Sequence, residues 1–184
     1  MEGLAARAGL SFANASRHLQ ILRRASLVAT RRDGKRVMYR LAGESEVVGL
    51  TQALGRVGER NVAEVERVMA AYFRARDGME PVSRSELLTR VRDDLVTVLD
   101  VRSEDEFRLG HLPNALNIPY RELEHRLSEI PQDRAVVAYC RGPYCVLSFE
   151  AVATLRARGY AVHRLEDGYP EWKAAGLPIE VASD

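Results

Sequence analysis

The chain has 184 residues, 46% hydrophobic and 29% charged, with a net charge of +1 and two cysteines. This is the composition of an ordinary globular protein. No run approaches the ~18 apolar residues of a transmembrane helix, no signal-peptide pattern opens at Met1, and two cysteines in one loop exclude a secreted disulfide framework. A cytoplasmic protein with no membrane association is expected, built as one large domain or two small ones.

The near-neutral total hides an asymmetry. Residues 1–43 carry nine Arg or Lys and two acidic residues, whereas the remainder carries 18 basic and 24 acidic. One end is therefore expected to meet a polyanion.

Glu2 to Ala8 reads as a short helix closed by Gly9, and Ser11 can cap a second helix from about Phe12 to Arg24, with Ala15, Leu19 and Leu22 on one face. Two helices joined by a tight glycine turn make a helix-turn-helix. Leu27–Thr30 and Val37–Leu41 then look like two strands, joined by Arg31-Arg32-Asp33-Gly34-Lys35-Arg36, which combines Asp-Gly turn chemistry with a basic tip. Residues 1–43 are thus predicted to be a winged helix-turn-helix that binds double-stranded DNA at an operator. In that geometry the second helix enters the major groove, so Ser11, Asn14, Ser16 and Arg17 are the candidate base readers. Arg31, Arg32, Lys35 and Arg36 suit phosphate or minor-groove contact, which supplies affinity and salt dependence.

Glu44 to Arg76 places apolar residues, from Val47 and Leu50 to Tyr72 and Phe73, at near-helical spacing. One continuous helix would be ~50 Å long. Gly49, Gly55 and Gly58 weaken it, so a break is predicted near Gly58 to Asn61. Residues 44–80 are read as a connector and homodimerisation helix, and Asp77-Gly78-Met79-Glu80-Pro81 as the boundary after it.

The second domain, residues 81–184, opens on a helix from Ser83 to Val91, with Ser83 and Glu86 at capping-box spacing. Strands are predicted at Leu95–Leu99, Leu116–Ile118, Ala135–Tyr139 and Ala161–Leu165, and helices at Glu104–Leu109, Glu122–Ile130, Ser148–Arg158 and Pro170–Ala175. Strands alternating with helices imply an α/β fold with a central parallel sheet. Functional sites on such sheets lie at the carboxyl ends of the strands, where Cys140 and Asp100-Val101-Arg102 both fall.

Cys140 ends a buried strand and opens a tight loop that leads into a helix. Free N–H groups at a helix start stabilise a neighbouring anion, and Arg141 adds a positive charge, so a thiol there is expected to ionise easily and act as a nucleophile. Arg141, Gly142, Pro143, Tyr144 and Val146 are the loop positions expected to hold a substrate. Arg102 has two roles open to it: steering an anionic donor, or pairing with Asp100 or Glu106 to hold the loop. Cys145, five positions after Cys140, is placed as a resolving thiol. His111 has no cysteine or second histidine at ligand spacing, so neither metal nor cofactor is expected.

These residues carry two resemblances. Leu99-Asp100-Val101-Arg102, Glu106-Phe107, Gly110-His111-Leu112-Pro113 and Ala115-Leu116-Asn117-Ile118-Pro119 resemble the opening motif of rhodanese domains, Tyr139-Cys140-Arg141 their active-site cysteine, and Gly168-Tyr169-Pro170-Glu171-Trp172 their closing motif. The resemblance spans roughly residues 81–179. It implies a cysteine that accepts sulfane sulfur as a persulfide and passes it on. Many single-domain rhodaneses carry a second arginine late in the loop, where Tyr144, Cys145 and Val146 stand here; this departure implies poor use of thiosulfate. Ala5–Ser11, Ala15–Leu22, Ala25–Val28 and Arg31–Leu41 resemble ArsR-type repressors. Such domains usually carry further helices ahead of the one opening at Glu2, so this chain is expected either to be truncated or to have shed that element.

Three functions follow. The first is a transcriptional regulator in which a small sulfur donor modifies Cys140. The second is a sulfurtransferase passing sulfur from thiosulfate or a persulfide to cyanide or a thiol acceptor, with an accessory DNA-binding domain. The third is a thiol redox enzyme acting on an oxyanion through Cys140 and Cys145.

Overall fold

The computed structural model describes residues 2–34, 36–68, 71 and 81–181. It forms two compact units, Met1–Ala53 and Leu54–Asp184.

In the first unit, helices α1 (Glu2–Arg7) and α2 (Phe12–Arg24) are followed by an antiparallel pair, β1 (Val28–Asp33) and β2 (Arg36–Leu41). Gly9 turns the chain between the helices at φ +62, a conformation that favours glycine. The Ser11 hydroxyl oxygen accepts a hydrogen bond from the Asn14 N–H at 3.3 Å and so caps α2. Ala5 and Ala15 are the buried residues of this helix pair. The strands are longer than the sequence reading, which left Arg31 to Arg36 as a connecting tip. Arg31 and Arg32 instead lie in β1 and Arg36 in β2, paired Arg31 to Met38, Arg32 to Val37 and Asp33 to Arg36. The cross-strand ladder thus absorbs Arg31, Arg32 and Arg36, with Gly34 in a turn.

Helix α3 (Glu44–Asn61) is followed by α4 (Ala63–Val68), with the break at Val62. The sequence placed the interruption at Gly58 to Asn61, and it falls just beyond. The Asn61 amide donates to the Val57 carbonyl at 2.9 Å and closes the last turn of α3. Gly49, Gly55 and Gly58 all remain helical. The predicted continuation to Arg76 lies almost wholly outside the described residues.

The second unit is a four-stranded sheet in the order β4 (Leu116–Asn117), β3 (Val96–Asp100), β5 (Ala135–Tyr139), β6 (Val162–Arg164), parallel at every pairing. Alternation along β5 divides the core, since successive side chains point to opposite faces. Helix α6 (Glu104–Arg108) follows β3, and Val136, Ala138 and Cys140 join Ile118, Leu123 and Ala151, Val152 and Leu155 of α7 (Val146–Ala157). Val137 and Tyr139 join Leu87 of α5 (Arg84–Arg92) and Trp172 of α8 (Tyr169–Ala174) on the other face. Cys140 is therefore directed toward the start of α7 by its parity in the strand. The expected helix from Glu122 to Ile130 is instead two 3-10 turns, Tyr120–His125 and Leu127–Glu129. Short 3-10 connectors are common where a segment is too brief to pack as an α-helix.

A polar network ties the ends of the two central strands together. Asp100 and Tyr139 sit side by side in register. The buried Asp100 carboxylate accepts hydrogen bonds from the Arg102 backbone N–H at 2.9 Å, from Arg102 Nε at 3.0 Å, from Arg102 Nη2 at 2.6 Å and from the Tyr139 hydroxyl. Arg102 Nη2 also donates to the Gly110 carbonyl at 2.8 Å, and its guanidinium lies 4.3 Å from the centre of the Tyr169 ring. A side chain at Gly110 would collide with the Tyr169 hydroxyl. Removing one member of such a pair strands the other charge in the core, at about 3–5 kcal/mol. Asp100→Ala should lose about that much in urea unfolding followed on the whole chain. Arg126→Ala, which removes exposed ion pairs to Glu122 and Glu129, should change stability by about 0–1 kcal/mol.

Candidate functional site

The site forms where β5 ends. Cys140 leaves the sheet, Gly142 turns the chain at φ +148, and Cys145 occupies the N-cap position of α7. The Cys145 N–H bonds to the Gly142 carbonyl at 3.1 Å, and the Cys145 carbonyl accepts from both the N–H and the hydroxyl of Ser148. From the opposite side, the Tyr169 N–H donates to the Cys140 carbonyl at 3.0 Å. Gly168 lies so close beneath that a Cβ there would overlap the Gly142 nitrogen and stand 2.6 Å from the Cys140 oxygen. Glu171, whose carboxyl is pushed up by burial, holds the Gly168 N–H at 3.1 Å. These turns bring the two sulfurs to 2.6 Å of each other. Cys140 is buried and Cys145 partly exposed.

The two thiols are within hydrogen-bonding reach, and their surroundings push them in opposite directions. Cys145 is lowered to about 5, first by the hydrogen bond from Cys140 and then, against its burial, by the backbone N–H groups of Arg141 and Leu147 and the Arg141 charge. Cys140 moves the other way, pushed up by its hydrogen bond to Cys145, by burial, and by the neighbouring charge. The sequence placed the thiolate on Cys140. The start of α7 presents its N–H groups to Cys145 and favours negative charge there, while burial at the sheet end raises Cys140.

The remaining predicted positions fall as follows. Arg102 takes the structural role of the two open to it: it is 3% exposed and bound to Asp100 and Gly110, so it is no donor-steering group. Arg141 forms a two-point pair with Glu106, Nε to Oε1 at 2.8 Å and Nη2 to Oε2 at 2.6 Å; Glu106 thus meets Arg141 rather than Arg102. Tyr144 and Val146 are exposed beside the sulfurs, at 41% and 42%, with Gly142 buried and Pro143 half-buried. In the first unit Asn14, Arg17, Arg31, Arg32 and Arg36 are exposed, Ser16 is half-buried, and Ser11 serves as the helix cap. Lys35 lies outside the described residues. Sequence reasoning took Gly168 and Glu171 only as part of the closing motif and gave them no place at the site, although a glycine followed by proline and glutamate at a helix start is a readable capping signal.

The family model of the rhodanese-like domain matches residues 83–175, half of the chain, including both cysteines and the Asp100 network. The chain belongs to the rhodanese-like family. It is 41% identical over 98% of its length to the HTH-type transcriptional regulator Rv0324 of Mycobacterium tuberculosis, covering 78% of that protein. A sulfurtransferase of Allochromatium vinosum is 41% identical over 85 residues, 46% of this chain and 78% of that one. A rhodanese-related protein from Thermoplasma volcanium superposes with a TM-score of 0.51 at 26% identity, over 56% of this chain and 100% of that one.

In this rhodanese-like domain the opposed shifts of the two thiols have a direct readout. Below about 5 both sulfurs are protonated, and above it one is a thiolate. Alkylation by iodoacetamide should rise through an inflection at about 5, stay level through neutral pH, and label Cys145; an ordinary cysteine rises only near ~8.5. Cys140→Ala, which removes the donor, should move the inflection upward. An inflection in the ordinary thiol range for the unaltered protein would contradict the opposed shifts.

Proposed function

We propose that this chain is a DNA-binding transcriptional regulator whose rhodanese-like domain takes up sulfane sulfur at the Cys140–Cys145 pair. The observation that carries the reading is the 2.6 Å approach of two free thiols at the carboxyl end of the sheet. A chain with an exposed basic helix and hairpin at its other end supports it.

The chemistry balances with an inorganic polysulfide as donor, taking hydrogen disulfide anion, HSS⁻, as the simplest case. Cys145 thiolate accepts the Cys140 proton as Cys140 attacks the sulfane sulfur; the S–S bond of the donor breaks and HS⁻ leaves, giving Cys140–S–S⁻ and a protonated Cys145. Cys145 sulfur then attacks Cys140 Sγ, the persulfide bond breaks, and a second HS⁻ carries away the proton. Two thiols end as a disulfide, and the sulfane sulfur is reduced to hydrosulfide. Thiolates are the nucleophiles in such exchanges, and a resolving thiol beside the modified one is the arrangement found in redox sensors.

Support for the DNA half comes from the relative named a transcriptional regulator, which is matched along nearly the whole chain. In a winged helix-turn-helix of ArsR type, Asn14 and Arg17 would face base edges and Arg31, Arg32 and Arg36 the phosphates. Leu50, Leu54 and Val57, exposed at 46%, 62% and 57% along one helix at spacings of four and three, suit the seam of a homodimer. The sulfurtransferase reading uses the first half of the same reaction. It is weaker for thiosulfate because Arg141, the loop's arginine, is tied to Glu106.

The test uses duplexes selected by the protein from a random pool. Polysulfide should change the DNA affinity of the unaltered chain by about tenfold, within the usual range of coupling between sites, and should leave Cys140→Ser unchanged. An identical response in both proteins removes Cys140 from the mechanism. Brisk thiosulfate:cyanide turnover would favour the enzyme reading instead.

A further inference from the structure

The second unit contains a helix–loop contact that this chemistry leaves unexplained. Gly55 and Glu59 stand four residues apart on α3 and therefore share a face. Tyr144, immediately before Cys145, reaches that face. Its hydroxyl donates a hydrogen bond to Glu59 Oε1, and its ring lies over Gly55. A Cβ built on Gly55 would stand 3.0 Å from the Tyr144 oxygen and 3.3 Å from a ring carbon. Even alanine at position 55 would press the ring outward. Glycine inside a helix costs about 0.5–1 kcal/mol relative to alanine, so α3 is weakened at the point where it receives the tyrosine. Burial and then the Glu59 bond push the Tyr144 hydroxyl up to about 12, so it stays a donor at neutral pH.

The cysteines give this contact a cause to change. Cys140 is 1% exposed and held by the sheet, and its sulfur is 2.6 Å from that of Cys145. No further heavy atom fits between them. A sulfur added to Cys140, as HSS⁻ becomes HS⁻, must displace the Cys145 side of the loop, and Tyr144 is the next residue in the chain.

We propose that Gly55 and Glu59 form a docking seat for Tyr144 and that sulfur uptake at Cys140 unseats it, so that α3 registers the sulfur state of the loop. The inference rests on the sulfur-uptake reading above and names the element through which it would act. Tyr144 is then a positioning residue: it acts through the loop that carries Cys145.

The experiment uses the full chain treated with hydrogen disulfide. Hydrogen exchange is followed on peptides covering residues 54–61, and mass spectrometry follows the cysteines. In the unaltered protein, protection of these α3 amides should fall by about threefold or more on sulfur uptake, as expected when a tertiary contact over exposed helix is lost. Glu59→Ala and Gly55→Ala should take up sulfur as the unaltered chain does, with their α3 exchange the same before and after. Their polysulfide response in DNA affinity should shrink about fivefold or more, the low end of a coupling energy. Unchanged α3 exchange in the sulfur-loaded, unaltered chain would overturn the seat. A wild-type response in both variants would also overturn it. Altered α3 exchange without any change in DNA affinity would support the seat and overturn the regulator reading. Absence of sulfur on Cys140 would overturn both.

Discussion

The close approach of two sulfurs, 2.6 Å apart, is the constraint on which the site is built. It follows from two fixed ends. Cys140 belongs to the sheet, pinned by strand parity and by the Tyr169 N–H on its carbonyl. Cys145 belongs to α7, whose first turn offers N–H groups to a negative charge. Four residues span the gap, and Gly142 takes the positive φ that closes it. The helix start thereby favours negative charge on the partly exposed sulfur, while burial opposes it on the other.

That loop stands on a platform that is itself costly to bury. Asp100, Arg102 and Tyr139 place a carboxylate, a guanidinium and a phenol at the carboxyl end of the sheet, with Asp100 at 0% and Arg102 at 3% exposure. Their value lies in geometry rather than in net stability, since a buried pair roughly recovers what its desolvation cost. The guanidinium bridges Asp100 to the Gly110 carbonyl and lies over Tyr169, whose own N–H holds Cys140. The opening and closing motifs of the domain, some 60 residues apart, thus meet through one arginine.

The sheet and its flanking helices were legible because β-branched runs and capping serines act locally. Ser83 and Ser11 cap the helices they precede, and the parity of β5 gave Cys140 its face. Readings that depended on partners far along the chain went astray. Glu106 lies 35 residues from Arg141, so spacing offered Arg102 as its nearer partner. The helix after the loop was read from Ser148, whereas it begins at Val146 and so brings its first turn against Cys145. Arg31, Arg32 and Arg36 read as a loop tip because charge and Asp-Gly chemistry outweigh β propensity over so short a stretch; the opposing strand settles the matter. Gly55 read as a weakness in a helix, since nothing in α3 itself announces a tyrosine arriving from 89 positions later.

The central claim is that the Cys140–Cys145 pair takes sulfane sulfur and resolves it internally. The most direct measurement is peptide mass mapping of the whole protein after stepwise addition of hydrogen disulfide. Trypsin cuts between Arg141 and Gly142, so the two cysteines fall in separate peptides and any bridge appears as a joined pair. The account predicts one added sulfur on the Cys140 peptide soon after each addition of donor, replaced with time, and without further donor, by a Cys140–Cys145 bridge with the loss of two hydrogens. Both peptides recovered as unmodified thiols at excess donor would contradict it.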